Sequence, residues 1–325
     1  MTHIAMLQPT SLAGQEIREL LEARRDLWQR LTLLALDEEE VGALTDVRGA
    51  AAMVQAYQPE LLQDADVIFY CGSLETNRQA LDSHPANAVG ILVAPEATPE
   101  HGRPGIAALP LAPPAPGDIL LSPHPAAVAL GYLLTPLAFW GLKRATATVV
   151  QPASMHEQAG LDELFEQTRQ VLTFADKKDT EIFGTQLAFN LLPAPATLPP
   201  LGPLLEDLLD PEVRVSTQLL QGGVFHSVSV SLLVELEAGA GGLPTPEELR
   251  EALATAPGID LAVDEELLGP IDAASREEVL VGAVRRDPTT EGGYWIWAVM
   301  DNLTRGTALN AMGLLEAALR PQHPS

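Results

Sequence analysis

Cysteine is almost missing from this chain: Cys71 is the single one among 325 residues. An internal disulfide needs two cysteines and a cysteine-cluster metal site needs several, so the sequence excludes both. Cys71 ends the apolar stretch Asp66–Cys71, which favours a buried strand. We therefore expect it to be a buried structural thiol.

Basic residues are also scarce. The chain has 19 Lys and Arg against 44 Asp and Glu, a formal net charge of −25. Nucleic acids and anionic membranes attract basic surfaces, so neither is predicted as a partner. An acidic, solvated surface is the simplest interpretation of this charge.

Long hydrophobic runs are few. The longest, Pro125–Leu142, has about 18 residues, the low end for a membrane span, and it contains Gly131 and Pro136. A buried helix accounts for it better. The first residues, MTHIAMLQPTS, lack a basic segment followed by a long apolar core, so no signal peptide is expected. We predict a cytoplasmic protein.

The chain does contain a regular alternation of short apolar and amphipathic segments. A length of 325 residues suggests about two domains. In the first part, strands are predicted at His3–Gln8, Leu31–Leu36, Asp66–Cys71 and Val89–Val93, and helices at Leu12–Arg24 and Glu75–Leu81. This order is typical of a doubly wound parallel sheet, an α/β fold. Pro95–Pro116 is predicted to be irregular, with a short strand around Ile106–Leu109.

After residue 142 the pattern changes. The predicted strands are Ala145–Val150, Arg214–Leu220, His226–Leu236, Val279–Val284 and Tyr294–Met300, the helices are Leu161–Leu172, Thr245–Ala254 and Arg305–Leu319, and Ala194–Pro203 is a proline-rich loop. Alternation in VSVSLLVEL favours a strand with one exposed face. Long strands with helices describe an α+β domain, and an open sheet of this kind commonly dimerises.

One corner of the chain suggests a site. In Asp118–Leu130 an apolar strand meets Ser-Pro-His-Pro, which opens a helix at Pro125. Proline suits the first helical position because its missing N–H is not needed there. A helix N-terminus can hold an anion or activate a nucleophile.

Several segments together resemble the aspartate-semialdehyde dehydrogenase family. They are Thr10–Leu20 after the first strand, Gln151 followed by Gly160–Leu164, Leu187–Pro193 (similar to "IAFNxxP"), the pair His226-Ser227, and Asp301–Ala311 (similar to "DNLRKGAALNA"). The resemblance implies a Rossmann-type domain at residues 1–124 and 305–325. It also implies an α+β catalytic and dimerisation domain at residues 125–304, in a homodimer.

In that family a cysteine thiolate adds to the aldehyde, hydride passes to NADP, and phosphate cleaves the thioester, a step in amino-acid biosynthesis. The family's nucleophile falls on Pro125, which has no nucleophilic side chain. The arginine that holds the substrate carboxylate falls on Leu219 or Gln221, and neither is a cation.

Two catalytic positions of the family are kept, Gln151 and His226. The resemblance implies that His226 is a general base. The alternative is a hydrogen-bonded histidine inherited with its strand, which we favour because there is no thiol for it to serve. The same interpretation applies to Gln151.

The cofactor positions are altered. The family's glycine-rich loop aligns with Gln8, Ser11 and Gly14, so only the last glycine remains. After the second strand, Asp37–Glu40 would repel a 2′-phosphate, which disfavours NADP more than NAD. Thr10, Gly14 and Asn310 are the cofactor-binding candidates by resemblance, and the sequence predicts that no cofactor is bound.

The sequence therefore favours a catalytically disabled dimeric relative, a pseudoenzyme. Three alternatives stay open. One is a sensor that binds NAD or NADP without turnover, and another is an active oxidoreductase acting on an aldehyde. The third is a metal site with new chemistry at His124, His156 and His226. An unidentified protein or small-molecule ligand remains open as a partner.

Overall fold

The computed structural model describes residues 2–47, 50–174, 179–195, 198–209, 212–239 and 241–320. The chain divides into two compact units, Met1–His124 with Thr307–Ser325 (unit 1) and Pro125–Gly306 (unit 2). The helices are α1 (Leu12–Ala23), α2 (Leu74–Asp82), α3 (Pro125–Leu134), α4 (Glu157–Leu172), α5 (Leu201–Leu209), α6 (Pro246–Ala254), α7 (Pro270–Ala273) and α8 (Asn310–Leu319). Short 3-10 turns cover Pro59–Leu62, Thr135–Trp140 and Ala153–His156, and Thr304–Leu309 is π-helical.

The strands of unit 1 are β1 (His3–Leu7), β2 (Arg30–Ala35), β3 (Leu44–Val47), β4 (Ala50–Met53), β5 (Gln55–Ala56), β6 (Val67–Cys71), β7 (Val89–Val93), β8 (Arg103–Pro104) and β9 (Ile119–Ser122). Those of unit 2 are β10 (Leu142–Gln151), β11 (Leu191–Pro193), β12 (Arg214–Gly222), β13 (Val228–Leu236), β14 (Ile259–Leu261), β15 (Val279–Arg286) and β16 (Gly293–Met300).

Unit 1 is built on a seven-stranded sheet in the order β5-β2-β1-β6-β7-β9-β8, and every pairing in it is parallel. Its central strands β1, β6 and β7 are buried along their whole length, as expected for a sheet covered on both faces. The chain leaves β1 in one direction and returns to β6 on the other side. Gln8 and Gly72, which follow these strands, lie at the switch point where such sheets bind ligands.

Unit 2 contains a mixed seven-stranded sheet in the order β11-β12-β10-β13-β16-β15-β14. Strands β10 and β12 are parallel, whereas β13 runs antiparallel to β10 and to β16. In β10, β12 and β13 buried residues alternate with more exposed ones, which leaves one face of the sheet partly open.

Two local predictions were wrong. Ile106–Leu109 is a turn and not a strand, because Leu109 donates its N–H to the carbonyl of Ile106 and Pro110 has no N–H to donate. The short strand of this segment lies earlier, at β8. The proline-rich loop Ala194–Pro203 ends early, since α5 begins at Leu201. Pro203 lies in the first turn of α5, where its missing N–H is not required.

The apolar run Pro125–Leu142 is helical for only part of its length. All ten residues of α3 are buried, but after Leu134 the chain tightens into a 3-10 turn. Pro136 removes a helical donor, and Gly141, at φ 70°, ends the segment. Among the described residues no helix is long and apolar enough to cross a membrane. Similarly, the predicted helix Arg305–Leu319 is α-helical only from Asn310.

Candidate functional site

The loop after β1 is closed by its own side chains. Ser11 caps α1: its Oγ accepts the N–H of Gly14 at 3.1 Å and donates to the carbonyl of Gln8 at 2.8 Å. The first turn of a helix normally offers free N–H groups to an anion. Here one of them is already taken by a serine oxygen.

Gln8 occupies the position where the family resemblance implies the first glycine. Its φ of 50° lies in the left-handed region that favours glycine. Its side chain is buried, and Oε1 accepts the N–H of Leu36 at 2.9 Å, just beyond β2. A Cβ on Gly72, at the other strand end of the switch point, would lie 3.7 Å from Gln8 Cβ. The glutamine side chain therefore fills part of the crevice, and the close approach that a pyrophosphate requires does not fit it.

Gly14, the one glycine kept in this loop, serves packing. A Cβ there would lie 2.9 Å from Pro9 Cα, a backbone atom that has little freedom to move. Thr10 holds the loop through its carbonyl, which accepts from the Gln15 side chain at 2.6 Å. Its hydroxyl is buried and has no hydrogen-bond partner among the described residues.

The acidic run after β2 lies at the surface. Asp37, Glu38 and Glu39 are exposed and Glu40 is partly buried. Asp37 accepts the N–H of Glu39 at 3.0 Å, which keeps this turn compact. The run presents only negative side chains to a ligand at the end of β2.

Asn310, the remaining cofactor candidate, is fully buried within unit 1. Its amide nitrogen donates to Gly105 O at 3.1 Å and to Ser122 Oγ at 2.9 Å, and its oxygen accepts the N–H of Ala107 at 2.8 Å. These three bonds tie α8 to β9 and to the turn after β8. The side chain works as a structural clamp.

In unit 2 the candidate catalytic residues gather at one edge of the sheet. Parallel strands β10 and β12 end there. Gln151, the last residue of β10, and Gln221, the last but one of β12, are register partners. Because β13 is antiparallel, its first residue, Val228, also lies there, directly after His226 and Ser227, opposite the last residue of β16. Topology therefore brings together residues far apart in sequence.

The centre of this edge is a buried group formed by Gln151, Gln221 and His156, which we call the amide cluster. Gln221 Oε1 accepts from Gln151 Nε2 at 2.8 Å and from His156 Nε2 at 3.1 Å. Gln221 Nε2 donates to the Gln151 carbonyl at 3.2 Å, which fixes the orientation of its amide. Both glutamines are at most 2% exposed. Gln221, at the position implied for the substrate arginine, is thus bonded inside the protein and is neutral.

Burial favours the neutral form of His156. It lowers the pKa of the imidazole from the usual 6.5, and the hydrogen bond that His156 donates to Gln221 and the charge of Glu163 oppose this only in part. Its ring packs edge-on against Phe183 with centroids 5.1 Å apart. Glu163 is itself buried and accepts the N–H of Ile182 at 2.6 Å and of Phe183 at 3.2 Å.

His226 is half-buried and stands beside a strained residue. Ser227 has φ 73° and is fully buried, and its N–H donates to Asn302 Oδ1 at 2.9 Å. Asn302 in turn donates to Ser154 Oγ at 3.0 Å. Asn302 therefore holds the histidine loop in place.

Pro125, at the implied nucleophile position, begins α3 and is buried. Gly306 packs directly against it: a Cβ on Gly306 would lie 2.8 Å from Pro125 Cβ and 2.7 Å from Met300 Cε. Carbon atoms occupy the space around this position. The proline itself has no nucleophilic side chain.

The hypothesis of a metal site at His124, His156 and His226 gains no support. Among the described residues, no group of three or more His, Cys, Asp or Glu side chains could hold a metal ion. His156 already uses Nε2 within the amide cluster. His124 is buried in unit 1. Cys71 is buried in β6, as predicted.

Sequence reasoning missed the parts played by Gln8, Asn302 and His156. The sequence identified Gln221 only as the position implied for the substrate arginine. Its place at the end of a predicted strand was the available signal, because an amide that is buried there needs hydrogen-bond partners. The Asp301-Asn302 pair carried a stronger signal, since short polar residues directly after a strand commonly bind nearby backbone.

The comparisons with known proteins fit this geometry. No family model matches the chain. An aspartate-semialdehyde dehydrogenase of Aquifex aeolicus is 26% identical over 348 residues, 98% of each chain. A protein of Azotobacter vinelandii called a USG-1 protein homolog is 28% identical over 340 residues, covering 98% of this chain and 97% of its own.

Solved structures have the same fold. A probable aspartate-semialdehyde dehydrogenase of Pseudomonas aeruginosa superposes with a TM-score of 0.84 at 23% identity, covering 97% of both chains. An aspartate-semialdehyde dehydrogenase of Candida albicans, solved with NADP, gives 0.71 at 14% identity over 98% of this chain and 99% of its own.

The predicted fold class, a Rossmann-type α/β unit followed by an α+β unit of the dehydrogenase type, is therefore confirmed. Because the sequence similarity spans nearly the whole chain, the resemblance to the aspartate-semialdehyde dehydrogenase family is confirmed as well. The chain is similar to aspartate-semialdehyde dehydrogenases over nearly its whole length.

Proposed function

We propose that this protein is a catalytically disabled, dimeric member of that oxidoreductase group. The observation that carries the proposal is Pro125, which begins a helix where the resemblance implies the thiol and which packs against Gly306. Thioester chemistry requires a nucleophile, and proline supplies none. The kept positions Gln151 and His226 then serve the fold.

The substrate site supports the same proposal. A carboxylate substrate needs a cation, and a bidentate arginine is the best partner for it. Gln221 provides a neutral amide whose oxygen already accepts two hydrogen bonds. Binding a carboxylate there would break these bonds and bury its charge without a counter-ion.

The loop after β1, where the resemblance implies the nucleotide phosphates, also supports the proposal of a disabled enzyme. Gln8 fills part of the crevice, Ser11 caps the helix that would hold the phosphates, and Asp37–Glu40 is acidic. We propose that no NADP is bound. The division of the chain at residues 124/125 and 304/305 into nucleotide and dimerisation domains, and the cytoplasmic location, stay predictions.

The direct test is a phosphate-dependent oxidation assay with aspartate semialdehyde and either NAD or NADP. We expect no turnover, with an active dehydrogenase as positive control. The double variant Pro125→Cys/Gln221→Arg should gain thiol reactivity toward the aldehyde, visible as a covalent mass increase. Turnover by the unmodified protein would refute the proposal.

A second candidate is nucleotide binding without reaction, since unit 1 keeps the parallel sheet and the capped helix α1 that build such sites. Calorimetric titration with NAD and NADP tests it. We expect no saturable heat for the native chain, and weak binding of NAD over NADP by Gln8→Gly, because the acidic run persists. Saturable binding by the native chain would establish the sensor function instead.

The proposal of a homodimer is supported by exposed apolar side chains in unit 2. Phe165 and Leu172 lie on one face of α4 and are 63% and 67% exposed. Exposed apolar residues at this spacing indicate a covered face. Sedimentation should show a dimer that Phe165→Asp weakens, whereas the exposed Phe139→Asp should leave the mass unchanged. A monomeric native chain would contradict this.

A further inference from the structure

A second exposed apolar surface lies away from α4, beside the edge strand β14. Val263, Leu267 and Ile271 are 107%, 78% and 89% exposed, and they fall within one short stretch of chain. We call this the 263–271 patch. Single exposed aliphatic residues are common, but three neighbours left fully to solvent are not.

The fold presents this patch in a defined shape. Leu268 is buried against Ala273, Leu280 and Val299, and its carbonyl accepts Trp297 Nε1 at 2.9 Å. The side chain of Asp264 accepts the N–H of Glu266 at 3.1 Å and of Leu267 at 3.3 Å. Asp272 accepts the N–H of Gly269 at 2.8 Å. These bonds fix the turns from which Leu267 and Ile271 project.

A depression of about 260 Å³ lies under the patch. Its apolar lining includes Leu261, Ala262, Leu268 and Leu280, and its polar lining is Asp260, Asp264, Asp272 and Arg276. Arg276 lies 3.8 Å from Asp260, which offsets that charge. Asp264 and Asp272 form no ion pair with any described residue. Apolar side chains with a negative border thus surround a hollow.

Strand addition is not the binding mode that this edge favours. The N–H of Ile259 is donated to Ala256 O at 3.3 Å, and that of Leu261 to Asp260 Oδ1 at 2.8 Å. An added strand would need free backbone donors along β14. Side chains of a partner must therefore make the contact.

The charge decides which partner fits. A second copy seated on this patch about a two-fold axis would set Asp264 and Asp272 against the same acidic border. An anionic membrane is repelled in the same way. We propose that the 263–271 patch binds a basic amphipathic segment of another protein, whose aliphatic side chains cover Leu267 and Ile271 while lysine or arginine pairs with Asp264 and Asp272.

The test uses two fluorescein-labelled helical peptides in anisotropy titrations with the full chain. Both carry leucine on one face; one has lysine at the remaining positions and the other glutamate. The lysine peptide should bind saturably and more weakly as salt is raised. Leu267→Ser/Ile271→Ser should weaken it about tenfold or more, since central apolar anchors dominate such interfaces.

Two further variants separate specific from diffuse attraction. Asp264→Asn/Asp272→Asn keeps the carbonyl acceptors of the turns, and it should weaken binding and flatten the salt dependence. Phe139→Ser removes an equally exposed side chain elsewhere in unit 2 and should change nothing. Equal binding of the glutamate peptide, no saturable binding, or full binding by Leu267→Ser/Ile271→Ser would each overturn the proposal. So would conversion of a dimer to a monomer by that variant, which would assign the patch to a second copy.

Discussion

Two strand ends, one in each unit, carry a glutamine turned into the protein, and they differ in what surrounds them. Gln8 binds a backbone N–H at the end of the neighbouring strand and stays in a glycine-like conformation. Gln221 instead bonds two other side chains, Gln151 and His156. One glutamine fills part of a crevice, whereas the other joins a neutral side-chain network.

Close to each glutamine are residues that hold the fold: Gly14 and Asn310 in unit 1, and Asn302 in unit 2. These retain the identities that the family resemblance implies. Under the proposed function, the positions needed for packing persist while those needed for chemistry have changed. Four predictions test this division.

The largest effect is expected for Gly14→Val. A Cβ at Gly14 lies too close to the Pro9 backbone, so the variant should lose about 3 kcal/mol of unfolding free energy. Urea titration measures it. Gly241→Ala is the control, because its Cβ meets nothing within 4 Å. A stable Gly14→Val would show that the loop has room to spare.

The next largest losses of stability are expected at the two buried asparagines, Asn310 and Asn302. Asn310→Ala leaves buried groups of Gly105, Ala107 and Ser122 without their partner, and should cost about 2 kcal/mol. Asn302→Ala should cost a similar amount in unit 2. Asn87→Ala removes one exposed hydrogen bond and should be nearly neutral. Equal urea midpoints for all three would contradict the clamp assignment.

A smaller loss is expected at the amide cluster. Gln221→Met leaves Gln151 and His156 with one unpaired donor each, costing about 1 kcal/mol. Gln218→Met, on an exposed position of the same strand, is the matched control. If both variants have the same urea midpoint, the cluster contributes nothing to stability.

The smallest effect concerns pH. Because burial lowers the pKa of His156 in the folded state, the unfolded chain takes up a proton first as the pH falls below about 6.5. Stability is then complete above that pH and declines below it. His156→Gln should reduce the loss of stability between pH 7.5 and pH 5.5, measured by urea titration at each pH. An unchanged pH profile would contradict the burial argument.

The fold could be read from the sequence where hydrophobic periodicity was strong, as in β1, β6 and β7 and in Thr245, whose capping box starts α6. It could not be read at Ile106, which is buried in a turn, or at Leu201, where a helix starts among prolines. In both places tertiary packing decides the conformation.

The candidate site was less predictable for a geometric reason. Gln221 and Gln151 are 70 positions apart, and only the parallel pairing of β10 with β12 brings them together. The sequence indicated which chemical groups were missing from the site. It did not indicate that His156 would join the amide that replaced the arginine, because no local spacing links the two.

Pro125 has a consequence for how such a protein evolves. At the first helical position proline costs no hydrogen bond, and its rigid ring restricts the unfolded chain, a gain of about 0.5 kcal/mol. Under the proposed function, a variant with cysteine at position 125 would give up that gain without acquiring the reaction, since Gln221 and Gln8 would still be unsuited to substrate and nucleotide. Stability then favours keeping the proline.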